Sequence, residues 1–441
     1  MSPSQENQPL PLSAKAQRTG EQPISFLMAA AMADPALINL AAGLVDPLTL
    51  PVEAVRQITA GIFSDTAKAR AALQYDTTLG LAPLRRAALA HLEKLENKSA
   101  AQLGLGEQDF VITTGSQQAL YLIGDVLIDP GDIVIAANPC YFVYTGTLAS
   151  LGATVMAVPM RDDGIDADAV EELLLRLQRQ GRLDRVKLIY TTSYFQNPTG
   201  LTLMEKGRRR LLEIAQRFSG RQRILILEDA AYRELRYDGP ALASIKSLDP
   251  QNRYTILTQT FSKPFAPGLK TGYTAMPPDL LEAVLHQKGN HDFGSASLTQ
   301  HIALEAMTSG LYEQQVRVLC DSYRRKRDVM LDALQGYMPA SAGIDWTRPA
   351  GGLYIWLTLP STIDTSRDSA LFRNCVRRGV LYVPGDYSFQ PDDRGQVPRN
   401  HLRLSFGQVS PQQIEPGIQR LAQAVTDALQ PDRAPAAGLA Q

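Results

Sequence analysis

The chain has 441 residues, and its 44 Lys and Arg against 45 Asp and Glu leave a formal charge of −1. This near-neutral balance gives no bulk field that would attract nucleic acid or an acidic membrane, so neither is expected as a partner. No segment approaches the roughly 18 consecutive apolar residues of a membrane span. Three cysteines are too few for a disulfide framework, and they indicate a reducing compartment such as the cytoplasm.

Residues 1–50 are predicted as an N-terminal arm, because the first 20 residues are polar and rich in Ser, Gln and Pro. From residue 51 to 290, short β-branched apolar runs alternate with helical patterns such as 117–128 and 203–218. Nearly continuous hydrophobicity is typical of strands that are covered on both faces. The alternation predicts an α/β fold, a mostly parallel central sheet flanked by helices in one large domain. The strand candidates are Phe110–Thr114, Asp132–Ala137, Thr154–Val158, Val186–Thr191, Ile224–Glu228 and Tyr254–Gln259.

Beyond residue 290 the pattern changes and predicts a smaller α+β C-terminal domain over residues 291–430, followed by a flexible tail at 431–441. Its predicted helices are 298–307, 311–338 and 370–378, and its predicted strands are 352–359 and 402–406. The basic runs Arg208–Arg210 and Arg324–Arg327 lie in helical patterns, and we expect them on solvated helix faces.

Polar residues follow several of the predicted strands, and open α/β sheets bind ligands at the carboxyl ends of their strands. Gly115-Ser116-Gln117 opens a helix, which indicates an anion cradle or a plain helix cap. Asn197, in Gln196-Asn197-Pro198-Thr199-Gly200, can present an amide to a ligand, although Asn-Pro and Thr-Gly also form ordinary turns.

Two later strand ends carry charged groups. Asp229, three residues before Tyr232, is placed to meet a cation, or it caps a turn. Lys263 follows the hydroxyls of Thr260 and Ser262 among Phe, Pro and Gly residues, where desolvation would lower its pKa and make it a nucleophile or base. Pyridoxal phosphate explains all of these groups, since it carries a phosphate, a phenolic oxygen, a ring nitrogen and an aldehyde that condenses with lysine.

With these motifs in this order, the sequence resembles the fold-type-I, class I and II aminotransferases, nearest to the branch of kynurenine, α-aminoadipate and multi-substrate aminotransferases. The likeness runs from about Ile24 to Leu421. The family string S-x-S-K-x4-G-L-R-x-G stands here as Thr260-Phe261-Ser262-Lys263 through Gly268-Leu269-Lys270-Thr271-Gly272, with N-P-T-G and D-x-x-Y in register.

The resemblance implies pyridoxal phosphate as cofactor and three catalytic residues, Lys263, Asp229 and Tyr232. Lys263 would form the internal aldimine and shuttle a proton, and Asp229 would pair with the ring nitrogen. Asn197 and Tyr232 would bind the phenolic oxygen, and Tyr141 would stack on the ring. The residues implied around the phosphate are Ser116, Gln117, Thr260, Ser262 and Lys270.

The resemblance also implies substrates and a partner. Arg403 and Asn197 would bind the substrate, and Arg403 would hold the α-carboxylate of an amino acid or a 2-oxo acid, because a guanidinium fork binds both oxygens. Tyr75 matches a tyrosine that reaches the phosphate of the neighbouring subunit, which implies a homodimer with shared active sites. No metal site is expected, since the five histidines lack ligand spacing.

Four departures from the family pattern leave alternatives to transamination open. Lys270 replaces an arginine and gives up its bidentate fork. Ser193 and Val45 stand where prolines are common, and Asn138 replaces an acidic residue. The second hypothesis is therefore β- or γ-elimination, replacement, C–C bond formation (possibly on a substrate of the S-adenosylmethionine type) or oxidation. A third, a non-catalytic sensor, is disfavoured by the near-neutral charge.

Overall fold

Three β-sheets organise the residues that the computed structural model describes, which are 10–23, 25–27, 34, 36–340 and 343–430. The strands are β1 (Ile38–Asn39), β2 (Phe110–Thr113), β3 (Ile133–Asn138), β4 (Thr154–Arg161), β5 (Gly164–Ile165), β6 (Val186–Thr192), β7 (Leu225–Asp229), β8 (Thr255–Thr260), β9 (Gly272–Ala275), β10 (Asp345–Trp346), β11 (Tyr354–Thr358), β12 (Val380–Leu381), β13 (Val383–Pro384) and β14 (His401–Ser405). The α-helices are α1 (Ala14–Arg18), α2 (Val52–Ser64), α3 (Thr66–Leu73), α4 (Ala82–Glu96), α5 (Ala100–Leu103), α6 (Gly115–Leu127), α7 (Phe142–Leu151), α8 (Ala167–Arg179), α9 (Glu205–Phe218), α10 (Pro278–His291), α11 (Ser297–Thr308), α12 (Leu311–Tyr337), α13 (Ala370–Arg377) and α14 (Pro411–Leu429).

The largest sheet has eight strands in the order β2-β9-β8-β7-β6-β3-β4-β5. The five neighbours from β8 to β4 are mutually parallel, whereas β9 and β5 are antiparallel to their neighbours. One face packs against α6, α7 and α10, and the other packs against α8 and α9. The predicted α/β fold with a mostly parallel sheet flanked by helices is therefore confirmed.

Two features of the large sheet differ from the prediction. Strand β4 was predicted to be covered on both faces, but only one of its eight residues is buried. Its neighbour β5 is only two residues long, so β4 lies close to the edge of the sheet. Strand β9 was not predicted, since four residues containing glycine carry little periodic signal. The other predicted strands of this sheet are present, with ends displaced by no more than one residue.

The second sheet is antiparallel, with the order β10-β11-β14-β13, and it packs with α12 and α14. Strand β1 pairs in parallel with β12, so residues from the predicted arm lie against the C-terminal part of the chain.

The prediction of a loose arm over residues 1–20 was wrong for residues 14–18, which form α1. There the Lys15 ammonium pairs with the Asp125 carboxylate at 2.9 Å. The predicted domain boundaries stay predictions, and the 431–441 tail lies outside the described residues. None of the helices in the described ranges could cross a membrane.

The expectation that both basic runs lie on solvated faces was wrong for three residues, because Arg208, Lys326 and Arg327 are buried. Arg208, 1% exposed, pairs with the buried Glu228 at 3.2 Å and donates to the Ser193 carbonyl at 2.7 Å. The Ser193 hydroxyl also donates to Glu228 at 2.6 Å. An ionised pair removed from water is compatible with folding only where such hydrogen bonds complete it.

Replacing Arg208 should destabilise the fold strongly. Arg208→Met leaves Glu228 as a buried charge without a cationic partner, so we expect the free energy of unfolding to fall by about 3–5 kcal/mol. The double variant Arg208→Met/Glu228→Gln should recover part of the loss. Arg209→Met is the matched control, because the Arg209 side chain is 58% exposed on the same helix. Equal urea midpoints for the Arg208 and Arg209 variants would contradict the buried pair.

Candidate active site

The carboxyl ends of β2, β8, β7, β6 and β3 meet at one edge of the large sheet and enclose a cavity of about 220 Å³. Neighbouring parallel strands end on the same side, which is why polar groups far apart in the sequence converge there. Ten of the twelve predicted site residues line this cavity: Ser116, Gln117, Tyr141, Asn197, Asp229, Tyr232, Thr260, Ser262, Lys263 and Lys270.

One end of the cavity is a cradle of backbone amides and hydroxyls. Helix α6 begins there at Gly115, whose φ of +69° favours glycine. A Cβ on Gly272 would lie 3.0 Å from the Ser116 nitrogen, so only glycine lets these two segments approach so closely. The Thr260 hydroxyl donates to the Ser262 hydroxyl at 2.9 Å. Amides at a helix N-terminus, together with hydroxyl groups, make this end suited to a phosphate.

Lys270 lines the same end of the cavity and adds a positive charge to it. It is exposed, and its φ of 49° places it in the left-handed region directly after a 3₁₀ turn. Its ammonium therefore acts as a point charge at the cradle, without the planar fork of an arginine.

The Lys263 side chain reaches into the cavity and donates from Nζ to the Gly43 carbonyl at 2.8 Å. Burial lowers the pKa of this amine, and the nearby Arg403 charge lowers it further, against the opposing effect of Tyr354. A lowered pKa makes the neutral, nucleophilic form of the amine more abundant near neutral pH.

Asp229, the last residue of β7, is buried and carries the carboxylate of the cavity. Its oxygens accept hydrogen bonds from the Tyr190 hydroxyl at 3.1 Å and the Ala231 amide at 3.2 Å. Burial raises the pKa of Asp229 to about 6 in spite of these two donors. In the described parts of the chain no lysine, arginine or histidine pairs with it, so the carboxylate is placed for a cation that the polypeptide does not provide.

Arg403 does not line the cavity, but it contacts Asn197, which does. From β14 of the small sheet, its guanidinium donates to the Asn197 side-chain oxygen at 2.7 Å and to the Ala41 carbonyl at 2.8 Å. The Nε–H is buried and has no hydrogen-bond partner among the described residues. A buried donor left over in this way is costly unless a ligand accepts from it.

Tyr354 was not predicted as a site residue, although its hydroxyl lies 3.1 Å from that of Tyr232. Burial disfavours the Tyr354 phenolate, but the charges of Arg403 and Lys263 outweigh this effect and lower its pKa. The Tyr354 hydroxyl also lies close to Gly43, where an added Cβ would clash with it. Strand β11 pairs with β14, and the Arg403 guanidinium lies over the Tyr354 ring, 4.3 Å from its centroid, a contact that the local sequence does not reveal.

Tyr75 is not among the residues that line the cavity of its own chain. Its side chain is 83% exposed and packs edge-on against Phe293, with 5.7 Å between the ring centroids. The predicted role of Tyr75 at a neighbouring subunit stays a prediction.

A second, larger cavity of about 600 Å³ lies between the segment 194–204, the segment 233–242 and helix α12. It contains none of the predicted residues. Its polar side chains include Arg233 and Glu234, which already pair with Glu96 and His91. We therefore assign the chemistry to the smaller cavity, where the nucleophile, the unpaired carboxylate and the cradle meet.

The groups that line the smaller cavity fit pyridoxal phosphate. The amide and hydroxyl cradle suits the phosphate, the Lys263 amine suits the aldehyde, and the unpaired Asp229 carboxylate suits a protonated ring nitrogen. No cluster of metal ligands occurs within the described ranges. The fold and site together define a pyridoxal-phosphate enzyme of fold type I.

Comparison with known proteins agrees with this class. Residues 35–421 match the family model for aminotransferase class I and II, and the chain belongs to this family. It is 37% identical to aromatic-amino-acid aminotransferase 1 of Thermococcus litoralis, over 89% of this chain and 88% of that protein. It is 32% identical to the 2-aminoadipate transaminase of Thermus thermophilus, over 89% of this chain and 90% of that protein. Its structure is similar to that of a Pyrococcus horikoshii kynurenine aminotransferase in complex with PMP (TM-score 0.85, 34% identity, 95% and 97% covered).

The protein is therefore a pyridoxal-phosphate-dependent aminotransferase, which transfers an amino group from an α-amino acid to a 2-oxo acid. The predicted family, enzyme class, cofactor and fold are confirmed. The assignment of individual residues to steps of the reaction remains a proposal.

The cradle gives a test that does not depend on activity. In Gly272→Ala the new Cβ would meet the Gln259 carbonyl at 2.7 Å and the Ser116 nitrogen at 3.0 Å, and both are backbone atoms. We expect the dissociation constant of pyridoxal phosphate to rise about tenfold, as expected for a lost charge-assisted hydrogen bond. Gly268→Ala, with no atom within 4 Å of its Cβ, is the control in the same loop. Equal affinities of the two variants in fluorescence titrations would argue against a phosphate at this end.

Proposed function

We propose that Lys263 is the residue that bonds covalently to the cofactor, and that Asp229, Tyr232, Asn197 and Arg403 complete the reaction site around it. The observation that supports this most is the shared cavity, where the Lys263 amine and the unpaired Asp229 carboxylate both lie. An amine of lowered pKa and a buried carboxylate without a cation are the two groups that an aldehyde on a pyridine ring requires.

When bound, pyridoxal phosphate supplies an aldehyde that condenses with amines and a protonated ring that accepts electrons from the substrate Cα. Lys263 contributes first its nucleophilic nitrogen. Its Nζ would also serve as the base that takes the proton from the substrate Cα and returns it on the cofactor side, since a neutral amine of lowered pKa accepts a proton. The Gly43 carbonyl, 2.8 Å from Nζ, holds the amine near the cavity when it is not bonded.

The Asp229 carboxylate would accept a hydrogen bond from the protonated ring nitrogen, and the neutral Tyr232 hydroxyl and the Asn197 amide would donate to the phenolic oxygen. Burial keeps the pKa of Tyr232 well above its usual value, so its hydroxyl remains a donor. The Tyr354 hydroxyl, 3.1 Å away, fixes the orientation of Tyr232. Tyr141, at the start of α7 on the wall of the cavity, is placed to stack on the ring.

Arg403 binds the α-carboxylate of both substrates. Its Nη atoms are already fixed by Asn197 and the Ala41 carbonyl, and its buried Nε–H has no partner in the described parts of the chain. A substrate carboxylate satisfies this donor and neutralises the buried cation. The same site serves amino acids and 2-oxo acids, because both carry this carboxylate.

We further propose a homodimer in which Tyr75 completes the phosphate site of the partner subunit. Tyr75, Phe293 and Leu73 are large apolar side chains that stand exposed on this surface. Burial of such side chains against a second copy would remove them from water, and a two-fold arrangement would place each Tyr75 at the other subunit's cavity. The three cysteines are free thiols, which fits work in the reducing cytoplasm.

Borohydride reduction of the holoenzyme tests the position of the covalent bond. After digestion, mass spectrometry should find the cofactor adduct on Lys263. Lys263→Ala should carry no adduct and lose at least about 10³-fold in kcat, as expected for loss of nucleophile and base together. Lys270→Ala is the matched control, because it removes a cavity lysine that should not bond to the aldehyde. An adduct on Lys270, or none on Lys263, would overturn the assignment.

The same preparation separates amino transfer from the other reactions of such a site. We expect aromatic amino acids, 2-aminoadipate or kynurenine, on which relatives are named to act, to shift the visible absorbance towards the near ultraviolet. One 2-oxo acid should form per amino group transferred. A product that keeps the amino nitrogen, formed without a 2-oxo acid acceptor, would instead indicate replacement or C–C bond formation, and release of free ammonia would indicate elimination.

Mixing two inactive variants tests the shared site. Tyr75→Ala and Lys263→Ala are each expected to have little activity alone. After mixing and subunit exchange, a mixed dimer has one site with both residues intact, so about a quarter of the wild-type activity should return with random pairing. Activity that stays absent after verified subunit exchange would show that Tyr75 does not serve the partner's site.

A further inference from the structure

Among the described residues, Tyr190 is the one whose side chain donates a hydrogen bond to Asp229. Strands β6 and β7 pair in parallel. In their register, Tyr190 lies opposite Leu227, and Thr192 lies opposite Asp229. Alternate residues of a strand share a face, so Tyr190 and Asp229 lie on the same face of the sheet. The Tyr190 hydroxyl reaches Asp229 Oδ2 at 3.1 Å, which leaves Oδ1 with only the Ala231 amide.

Packing fixes the position of the Tyr190 hydroxyl. The residue is 1% exposed, its ring lies 4.4 Å from that of Tyr144, and its oxygen is 3.3 Å from the Thr192 hydroxyl. Burial, reinforced by the charge of Asp229, keeps the pKa of Tyr190 well above its usual value. The hydroxyl is therefore a permanent donor that cannot move away from the carboxylate without disturbing the core.

A proton shared between Asp229 and the ring nitrogen can rest on either group. Burial has already raised the pKa of Asp229 to about 6, which brings the carboxyl close to competing for that proton. A hydrogen bond donated to Oδ2 stabilises the ionised carboxylate more than the protonated carboxyl group, and so it lowers the pKa of Asp229. The other titratable groups near Asp229 are Cys140, Tyr141 and Tyr144, whose pKa values burial raises, so they stay neutral and offer no compensating charge.

We propose that Tyr190 is a positioning residue, which keeps Asp229 ionised and so holds the proton on the ring nitrogen instead of on the carboxyl group. The proposal rests on the proposed role of Asp229. Tyr190 touches neither substrate nor cofactor; it acts through the carboxylate. The capacity of the ring to accept electrons from the substrate thus depends on the hydroxyl of Tyr190, a residue in the middle of the buried strand β6.

The test is nitrogen-15 NMR on holoenzyme that has been reconstituted with ring-¹⁵N-labelled pyridoxal phosphate. In Tyr190→Phe the resonance should move towards that of an unprotonated ring nitrogen. Its kcat should fall about tenfold or more with little change in KM, because a hydrogen bond to a charged group is lost while the substrate contacts stay. A purely structural role for Tyr190 would lower stability without moving the nitrogen resonance.

Tyr144→Phe is the matched control, since it removes a buried hydroxyl from the adjoining ring. That hydroxyl has no hydrogen-bond partner among the described residues. The control should keep the wild-type resonance and kcat. Equal shifts in both variants would assign the effect to packing and would overturn the proposal.

Asp229→Asn separates this inference from the proposed function. If Asp229→Asn moves the resonance and Tyr190→Phe does not, the inference is wrong and the role of Asp229 stands. If neither variant moves it, the proposed role of Asp229 fails as well. Should Tyr190→Phe not retain the cofactor, carbon-13 titration of the Asp229 carboxyl in the cofactor-free protein replaces the measurement. There the Tyr190 substitution should raise the pKa of Asp229, and an unchanged titration would overturn the proposal.

Discussion

The site depends on the order of parallel strands in the large sheet. Strands β8, β7, β6 and β3 are neighbours and end at the same edge, so groups that are more than 100 residues apart in the sequence share one small cavity. A strand that ran in the opposite direction would carry the group at its carboxyl end to the other edge of the sheet. The antiparallel β9 contributes at the same edge through its first residue, Gly272, which allows the cradle to close.

Strand β7 shows how one strand serves stability and chemistry at adjacent positions. Glu228 and Asp229 point to opposite faces, as consecutive strand residues do. Glu228 meets the guanidinium of Arg208 and the hydroxyl of Ser193, which balance its charge inside the protein. Asp229 meets only neutral donors from the described residues, and its charge stays unbalanced until a cation binds. The two carboxylates therefore differ because a cation lies on one face of the sheet, beside Glu228, whereas only neutral donors lie on the other face, beside Asp229.

The local sequence was sufficient to predict most of the residues that line the cavity. It was insufficient to predict the residues behind them that hold those side chains in place. Asn197, Asp229 and Lys263 follow continuous apolar runs, so their place at strand ends could be predicted from position alone. Tyr190 and Tyr354 lie inside such runs, where a hydroxyl looks like part of the core and its partner is far away in the chain. Arg208 was predicted on a solvated face because arginine is usually exposed. Its helical spacing from Leu211, Leu212 and Ala215 instead places it on the buried face of α9.

The departures from the family pattern separate into those that support the fold and one that faces the ligand. Ser193 donates to Glu228, and Asn138 accepts from the Gln390 amide at 2.9 Å, which ties the end of β3 to a loop before β14. Val45 is buried in the core. Their contacts lie outside the cavity, so they give no reason to expect a different reaction. Lys270 alone of the four lines the cavity, where its ammonium is a point charge in place of the planar fork of an arginine. Under the proposed roles, the substitution therefore bears on how firmly the cofactor is held, and it leaves the groups proposed for amino transfer, Lys263 and Asp229, present in the same cavity.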